Sequence, residues 1–235
     1  MSTGGVTRGR NGAAGAAVMA QGRFMVLAGI DGSGKSSVLS RLDVHGLLTT
    51  NWCELRGHQE TAALAPRNPT GVKNRLPPLS RAMFIGGHLV AQYEQLVRPS
   101  VEAGHSVLLD SYYYKVLAKE LVLRASHPSL AELCAELPEP DCVIFVDVPP
   151  QVSFRRKDGR VSSYERFMRD SPHQDYVTFQ SMVRDIIMRR VTEVPDHHIV
   201  DGDKPLSEVL ESVRAIAESR LHRSTRSDDA AEPCP

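Results

Sequence analysis

The chain has 235 residues, enough to bury a full sheet between helices, and its length suits a single α/β domain. Lys+Arg and Asp+Glu balance at 28 each, which excludes a global field directed at nucleic acid or an anionic membrane, so specificity has to be local. No segment reaches the apolar length needed to span a bilayer, and Cys53, Cys134, Cys142 and Cys234 show neither C-x-x-C nor zinc-type spacing, as expected of reduced cytosolic thiols.

Residues 1–22 are rich in Gly and Ala, carry Arg8 and Arg10, and belong to a stretch with no acid before Asp31. A secretory or organellar leader would need a strongly apolar h-region, which this segment lacks. A disordered extension, or an upstream start codon with translation beginning at Met19 or Met25, fits the composition better. The globular domain is then expected over residues 23–221, with a loose polar tail over 222–235.

Phe24–Ala28 is a continuous apolar run and reads as the first strand. It leads directly into Gly29-Ile30-Asp31-Gly32-Ser33-Gly34-Lys35-Ser36, a match to G-x-x-x-x-G-K-[ST]. A chance Gly-rich turn could show the same letters, but the strand immediately before them makes a phosphate-binding loop the better reading. Gly29, Gly32 and Gly34 let the backbone fold tightly around an anion, and the N-terminus of the following helix directs its dipole and unpaired N–H groups at the same spot. Lys35 would reach the β- and γ-phosphates of ATP, and the Ser36 hydroxyl would ligate Mg²⁺. Asp31, Ser33 and Ser37 complete the expected ATP-binding set. A protein drawing on ATP in this way is expected in the cytoplasm.

The P-loop helix is expected over Ser36 to about Asp43, with Thr50–Leu55 as a weaker second strand. Residues 65–78 hold four prolines with Asn68, Gly71 and Asn74, and read as an irregular loop, either a substrate flap or a surface connection. Helical patterns follow at about Leu79–Ala103, Lys115–Ala125, Ser129–Leu137, Pro150–Arg156, Ser162–Val194 with interruptions, and Leu206–Leu221. Between them lie strand candidates Ser106–Asp110, Cys142–Asp147 and His198–Asp201. Strand alternating with helix implies a doubly wound parallel sheet with right-handed crossovers, whose ligands bind beyond the carboxyl ends of the strands. The P-loop, Asp110 and the Pro149-Pro150 turn all fall there.

Asp110 closes an apolar strand, where a carboxylate would meet Mg²⁺ or an acceptor; its bland alternative is a solvent-facing or helix-capping aspartate. For Asp147 a structural role and a metal-linked one are equally supported. Arg155, Arg156, Lys157 and Arg160 surround Asp158-Gly159, so a lid that closes cations over a transferring phosphoryl group competes with a solvated basic helix end. In a P-loop protein the lid is favoured, and Arg155, Arg156 and Arg160 join Lys35 and Asp110 as candidate catalytic groups.

These residues resemble the thymidylate kinases, in the nucleoside monophosphate kinase group. The likeness begins with Phe24–Ser36 and runs through Leu55-Arg56, Pro78–Phe84, Pro99–Gly104, Val107–Asp110, Asp141–Pro150 and Ile199–Gly202, covering about residues 23–220. It implies a three-layer P-loop NTPase fold with a five-stranded parallel sheet, helices on both faces, a small lid, and often a homodimer. It implies transfer of the ATP γ-phosphate to the 5′-phosphate of a nucleotide acceptor. Asp31 would lie near the acceptor's sugar or phosphate, Arg56 would bind its phosphate, and Phe84 would stack on its base. Ser33 stands where one subgroup carries a basic residue, so the helper arginine should come from the lid.

The departures from the family pattern lie on the acceptor side. Arg56 is followed by Gly57-His58-Gln59-Glu60-Thr61 in place of Glu-Pro-Gly-Gly-Thr. His88 occupies the position of the base-reading arginine, and Asp110-Ser111 that of an Asp-Arg pair. Lys115 and Lys119 stand near expected small polar and tyrosine residues, and Ala28 replaces a glutamate. The candidate acceptor set is therefore Asp31, Arg56, Phe84, His88, Ser111, Tyr112 and Lys115, with Lys115 able to restore the charge lost at Ser111. Losing a bidentate fork at a substrate contact shifts discrimination by orders of magnitude.

Phosphorylation of a nucleoside monophosphate, dTMP most economically, is the leading expectation. A kinase for an unphosphorylated nucleoside or metabolite would need a base, with Asp110 or Asp31 available. A catalytically silent P-loop regulator is the alternative of another class. A GTPase is disfavoured, since no N-K-x-D motif is present and Asp43-Val44-His45-Gly46 is a weak D-x-x-G match.

Overall fold

Alternation along the central strands sets the layers. In β1 (Phe24–Ala28), Phe24, Val26 and Ala28 enter one core while Met25 and Leu27 enter another on the opposite face, and all five are buried. The computed structural model describes residues 21–57, 76–124 and 127–226, with side chains up to residue 221. The remaining strands are β2 (Leu47–Thr50), β3 (Ser106–Asp110), β4 (Cys142–Asp147) and β5 (His197–Asp201). They form a five-stranded, all-parallel sheet in the order β2-β3-β1-β4-β5, with Leu27 opposite both Asp110 and Ile144.

The helices are α1 (Lys35–Leu39), α2 (Pro78–Gln92), α3 (Arg98–Glu102), α4 (Tyr112–Val122), α5 (Pro128–Glu136), α6 (Pro150–Lys157), α7 (Pro172–Glu193) and α8 (Leu206–Arg226). On one face Ala82, Ile85 and Leu89 of α2, Leu117 of α4 and Phe179, Val183 and Ile187 of α7 meet Val26, Leu109 and Phe145. On the other, Val38 of α1 and Val209 and Val213 of α8 meet Leu27, Leu108 and Ile144. This is the α/β architecture with helices on both faces that the sequence implies.

Several expected boundaries move, each for a local reason. The second strand ends at Thr50 instead of starting there: the Thr50 hydroxyl donates to Glu54 Oε2 at 2.6 Å and Cys53 N donates to Asn51 Oδ1 at 2.9 Å, turning the chain into a 3-10 segment, Trp52–Gly57. α1 stops at Leu39, where Arg41 N bonds back to the Val38 carbonyl at 3.0 Å. The long helix expected to Ala103 contains a π turn, Tyr93–Val97, just before Pro99, which has no N–H to continue the ladder. α7 begins at Pro172, capped by Ser171, so residues 162–171 are irregular. α8 runs through Arg226 with no Gly or Pro to stop it at Leu221. Residues 1–20, 65–75 and 227–235, with His58–Thr61, lie outside the described residues.

Candidate active site

The P-loop turns between β1 and α1 at the centre of the sheet. A Cβ on Gly29, whose φ is 156°, would fall 2.7 Å from Ser33 Oγ and 2.9 Å from the Val146 carbonyl. At Gly32, with φ 73°, it would fall 2.9 Å from the Ser153 carbonyl, because α6 packs directly on the loop. Lys35 is buried and folds over the loop, donating to the carbonyls of Gly29 and Ile30 at 2.9 Å each and to Ser33 Oγ at 3.1 Å. Burial first, then the Lys115 ammonium, pushes Lys35 down to about 7 against the attraction of Asp110 and Asp31.

Asp110, at the carboxyl end of β3, faces Ser36: the hydroxyl donates to Oδ2 at 3.4 Å, while Ser111 Oγ donates to Oδ1 at 2.6 Å. The backbone is strained here, with Ser111 at φ 70° and Tyr112 at φ 44° on consecutive non-glycine residues. Ser111 N donates to the Leu27 carbonyl at 3.0 Å, and the kink starts α4 immediately beside the P-loop.

That placement brings two α4 lysines, one turn apart, onto Asp31. Lys119 Nζ lies 2.6 Å from Oδ2 and Lys115 Nζ 3.3 Å from Oδ1, with Gln180 Nε2 of α7 donating to Oδ2 at 3.2 Å. Burial pushes the Asp31 carboxyl up, but Lys119 and then Lys115 pull harder, leaving it well below the usual carboxylate range. Lys119 is lowered by burial despite its partner, whereas in Lys115 the attraction of Asp31 and Asp110 outweighs burial and raises it. Tyr176 donates from its hydroxyl to the Asp31 carbonyl at 2.8 Å, tying the loop to α7 as well.

Two cavities meet on these residues. The larger, about 790 Å³, is lined by residues 31–38 with Asp110, Lys115, Arg156 and Gly202–Leu206. The smaller, about 300 Å³, is lined by Trp52, Ile85, His88, Leu89, Gln92, Ser111, Tyr112, Lys119, Tyr164 and Glu165. Asp31, Ser36, Asp110 and Lys115 belong to both linings. A phosphate donor seated in the P-loop and an acceptor in the smaller cavity would therefore meet over these four side chains.

The chain matches no family model. Full-length similarity to curated proteins is nevertheless consistent. A thymidylate kinase of Magnetococcus marinus is 27% identical over 213 residues, covering 86% of this chain and 98% of the relative. Probable thymidylate kinases of Archaeoglobus fulgidus and Thermococcus gammatolerans are 24% and 23% identical, covering 87% and 85% of this chain and 100% and 98% of theirs. The chain is similar to thymidylate kinases along nearly their whole length.

Against that family frame the expected residues divide. Asp31, His88, Ser111, Tyr112 and Lys115 line the smaller cavity, although the Tyr112 hydroxyl donates away from it to the Pro138 carbonyl at 3.2 Å. Phe84 is absent from that lining and is half-buried against the core beside Ile85 and Ala82. Arg56 reaches the site indirectly: its guanidinium lies 5.0 Å above the Trp52 ring, which in turn sits 5.6 Å from His88. Of the basic cluster, Arg156 lines the larger cavity and donates to the Gly202 carbonyl at 2.8 Å, while exposed Arg155 and Arg160 do not line it. Lys157 pairs with Glu165 at 3.0 Å. Asp147 is paired through both oxygens with Arg184 at 2.5 and 2.6 Å.

Trp52, Gln92, Tyr164 and Glu165 were not signalled by any motif. Gln92 follows His88 by four positions and so shares its helix face, and Trp52 is the single tryptophan of the chain, four residues before Arg56. Tyr164 sits over Lys119 at 4.7 Å and donates to Glu120 Oε1 at 2.6 Å, with Arg81 on the other Glu120 oxygen at 2.8 Å.

Proposed function

We propose that this chain transfers the γ-phosphoryl group of ATP to the 5′-phosphate of a nucleoside monophosphate, dTMP in the first instance. The observation that carries this is the junction of the two cavities over Asp31, Ser36, Asp110 and Lys115, with a P-loop on one side and an aromatic-lined pocket on the other. The likeness to curated thymidylate kinases along nearly their whole length supports the choice of acceptor.

The hydroxyl of Ser36 and the carboxylate of Asp110 are hard oxygen donors 3.4 Å apart on one wall, a set that suits Mg²⁺ directly or through water. Bound there, the ion would neutralise charge on the donor phosphates. The loop amides and Lys35 hold the donor, and Arg156 supplies a further cation at the rim of the larger cavity. Trp52 and His88 offer ring faces to the acceptor's base. No general base is required, because the acceptor phosphate is already ionised at neutral pH, so positioning and electrostatics provide the acceleration. A cytoplasmic location follows from the need for ATP, and no helix among the described residues is long and apolar enough to cross a membrane. The family resemblance supports a homodimer as the working assembly.

ATP consumption by the purified protein, measured with dTMP, other nucleoside monophosphates, free nucleosides and no acceptor, tests this. Turnover with dTMP is expected. Turnover with nucleosides but no monophosphate would instead establish a hydroxyl-acceptor kinase, and ATP binding without turnover a silent regulator.

A further inference from the structure

We infer that Lys115 is a catalytic cation that spans the two cavities and contacts the phosphoryl group during its transfer. This rests on the nucleotide-kinase function proposed above and assigns a charge that a lid arginine would otherwise supply.

Lys35, Lys115, Arg156 and Lys204 are the cations lining the larger cavity, and Lys115 and Lys119 those lining the smaller. Among the described residues, Lys115 is the cation common to both linings. The group that moves between donor and acceptor has to pass the wall these cavities share, so Lys115 stands where charge is being redistributed.

The two α4 lysines are held differently. Lys119 is 5% exposed and sits 2.6 Å from Asp31, whereas Lys115 is 27% exposed and 3.3 Å away. Lys119 thus holds the carboxylate in place, while the more exposed Lys115 makes the longer contact to it and lines both cavities. An ammonium carries three donors on a rotatable stem, and a swing towards the cavity need not break the Asp31–Lys119 contact.

Charge bookkeeping at the junction points the same way. With Lys35 protonated, the described residues Lys35, Lys115 and Lys119 carry three positive charges against two on Asp31 and Asp110, and all but Ser36 of the groups shared by the two cavities are buried or half-buried. A partly desolvated excess positive charge is costly until an anion joins it. The anion that fits is a phosphate chain spanning both cavities.

In the step itself, an oxygen of the acceptor phosphate forms a bond to the γ-phosphorus as the bond from that phosphorus to the bridging oxygen breaks. ADP leaves with the electron pair, and no proton changes hands. Charge on the equatorial oxygens of the transferred group is what Lys115 would meet.

The test compares Lys115→Met and Lys115→Arg with wild type at saturating ATP and Mg²⁺, varying dTMP. It adds calorimetric titration of ADP with aluminium fluoride, a mimic of the transferring group, in the presence of dTMP. For Lys115→Met, kcat is expected to fall about 10²–10³-fold with ADP affinity unchanged and aluminium fluoride no longer adding to it. Lys115→Arg should recover at least part of both. An unchanged kcat with a raised KM for dTMP would reduce Lys115 to a ground-state contact and overturn the assignment, as would intact aluminium fluoride capture by Lys115→Met. Lys115→Gln, which keeps a polar chain beside Asp31, replaces the Met variant if that one does not fold. Wild type without turnover on any nucleoside monophosphate would overturn the proposed function and this assignment together, whereas active wild type with an equally active Lys115→Met overturns this assignment alone.

Discussion

Lys119 and Asp31 form the shortest contact in the ion cage behind the P-loop, 2.6 Å between Nζ and Oδ2, and both side chains are almost wholly buried. It ties the loop's variable segment to the middle of α4. Removing one partner of such a pair leaves an uncompensated charge in a dry site, at a cost of about 3–5 kcal/mol. Because Lys115 and Gln180 remain on Asp31, Lys119→Met should fall at the lower end, near about 3 kcal/mol by urea unfolding. Asp31→Asn combined with Lys119→Met should lose less than the sum of the single changes. A loss below about 1 kcal/mol in Lys119→Met would show that the pair contributes no more than a surface contact.

The same cage sets an acid limit. The Asp31 carboxyl is held below its ordinary value, so its contribution is fully present above about pH 4, the unfolded value, and is lost as pH falls through the depressed folded value. Asp31→Asn should therefore flatten the acid limb of the stability profile while lowering the plateau. Parallel acid limbs for the two proteins would contradict it.

Lys35 predicts a pH effect on nucleotide affinity at the alkaline side. With its folded value near about 7, the free protein loses this ammonium as pH rises, while a terminal phosphate with a second pKa near ~6 is already ionised. Affinity for ATP should weaken above pH 7, by up to about tenfold per unit, since binding then requires proton uptake. In the unliganded protein, stability should rise over the same window towards the ordinary lysine value, because the unfolded chain binds the proton that the folded chain has given up. Lys35→Arg, which stays protonated, should remove the dependence. Calorimetry in buffers of different ionisation enthalpy would detect the proton uptake directly.

The fold and the P-loop half of the candidate site were legible because they are written in local, contiguous patterns. Phe24–Ala28 followed by three glycines, Lys35 and Ser36 fixes a strand, a turn and a helix in sequence order, and Cys142–Asp147 could hardly be other than a buried strand. The smaller-cavity half of the candidate site depends on side chains from distant segments. Trp52 meets His88 only because Thr50, Asn51 and Glu54 turn the chain into a 3-10 segment where strand propensity had suggested extension. The pairing of Lys115 and Lys119 on Asp31 depends on the positive φ of Ser111 and Tyr112, which no propensity scale anticipates for these residues. Phe84 shows the opposite case: a residue carried over by resemblance does not line the smaller cavity, whereas its buried neighbour Ile85 does.

Ser36 and Asp110 give the fourth prediction. If the two oxygens hold Mg²⁺, Ser36→Ala should raise the Mg²⁺ concentration needed for half-maximal turnover about 10–100-fold, with kcat recovering at high Mg²⁺. Asp110→Asn should lower kcat at every Mg²⁺ concentration, because the amide cannot supply the anionic ligand and also changes the Ser111 contact. Identical Mg²⁺ titrations for wild type and Ser36→Ala would remove this serine from the metal site.

Trp52 offers the last, and the chain supplies its own reporter. It lines the smaller cavity and not the larger, and as the single tryptophan it dominates the intrinsic fluorescence. A base seated against Trp52 should change that fluorescence when a monophosphate is added, while ATP without an acceptor should leave it nearly unaltered. Losing the indole forfeits about 1.5–3 kcal/mol of buried contact, so Trp52→Ala should raise KM for the monophosphate about 10–100-fold with little change in KM for ATP. Trp52→Phe, which keeps a ring facing His88, should stay much closer to wild type. Because Trp52 also packs on Leu55 and Ala91, the Ala variant should unfold at a lower temperature, so its binding has to be compared well below its melting point. Equal effects on both KM values, or a fluorescence response to ATP alone, would place the acceptor's base somewhere other than against Trp52.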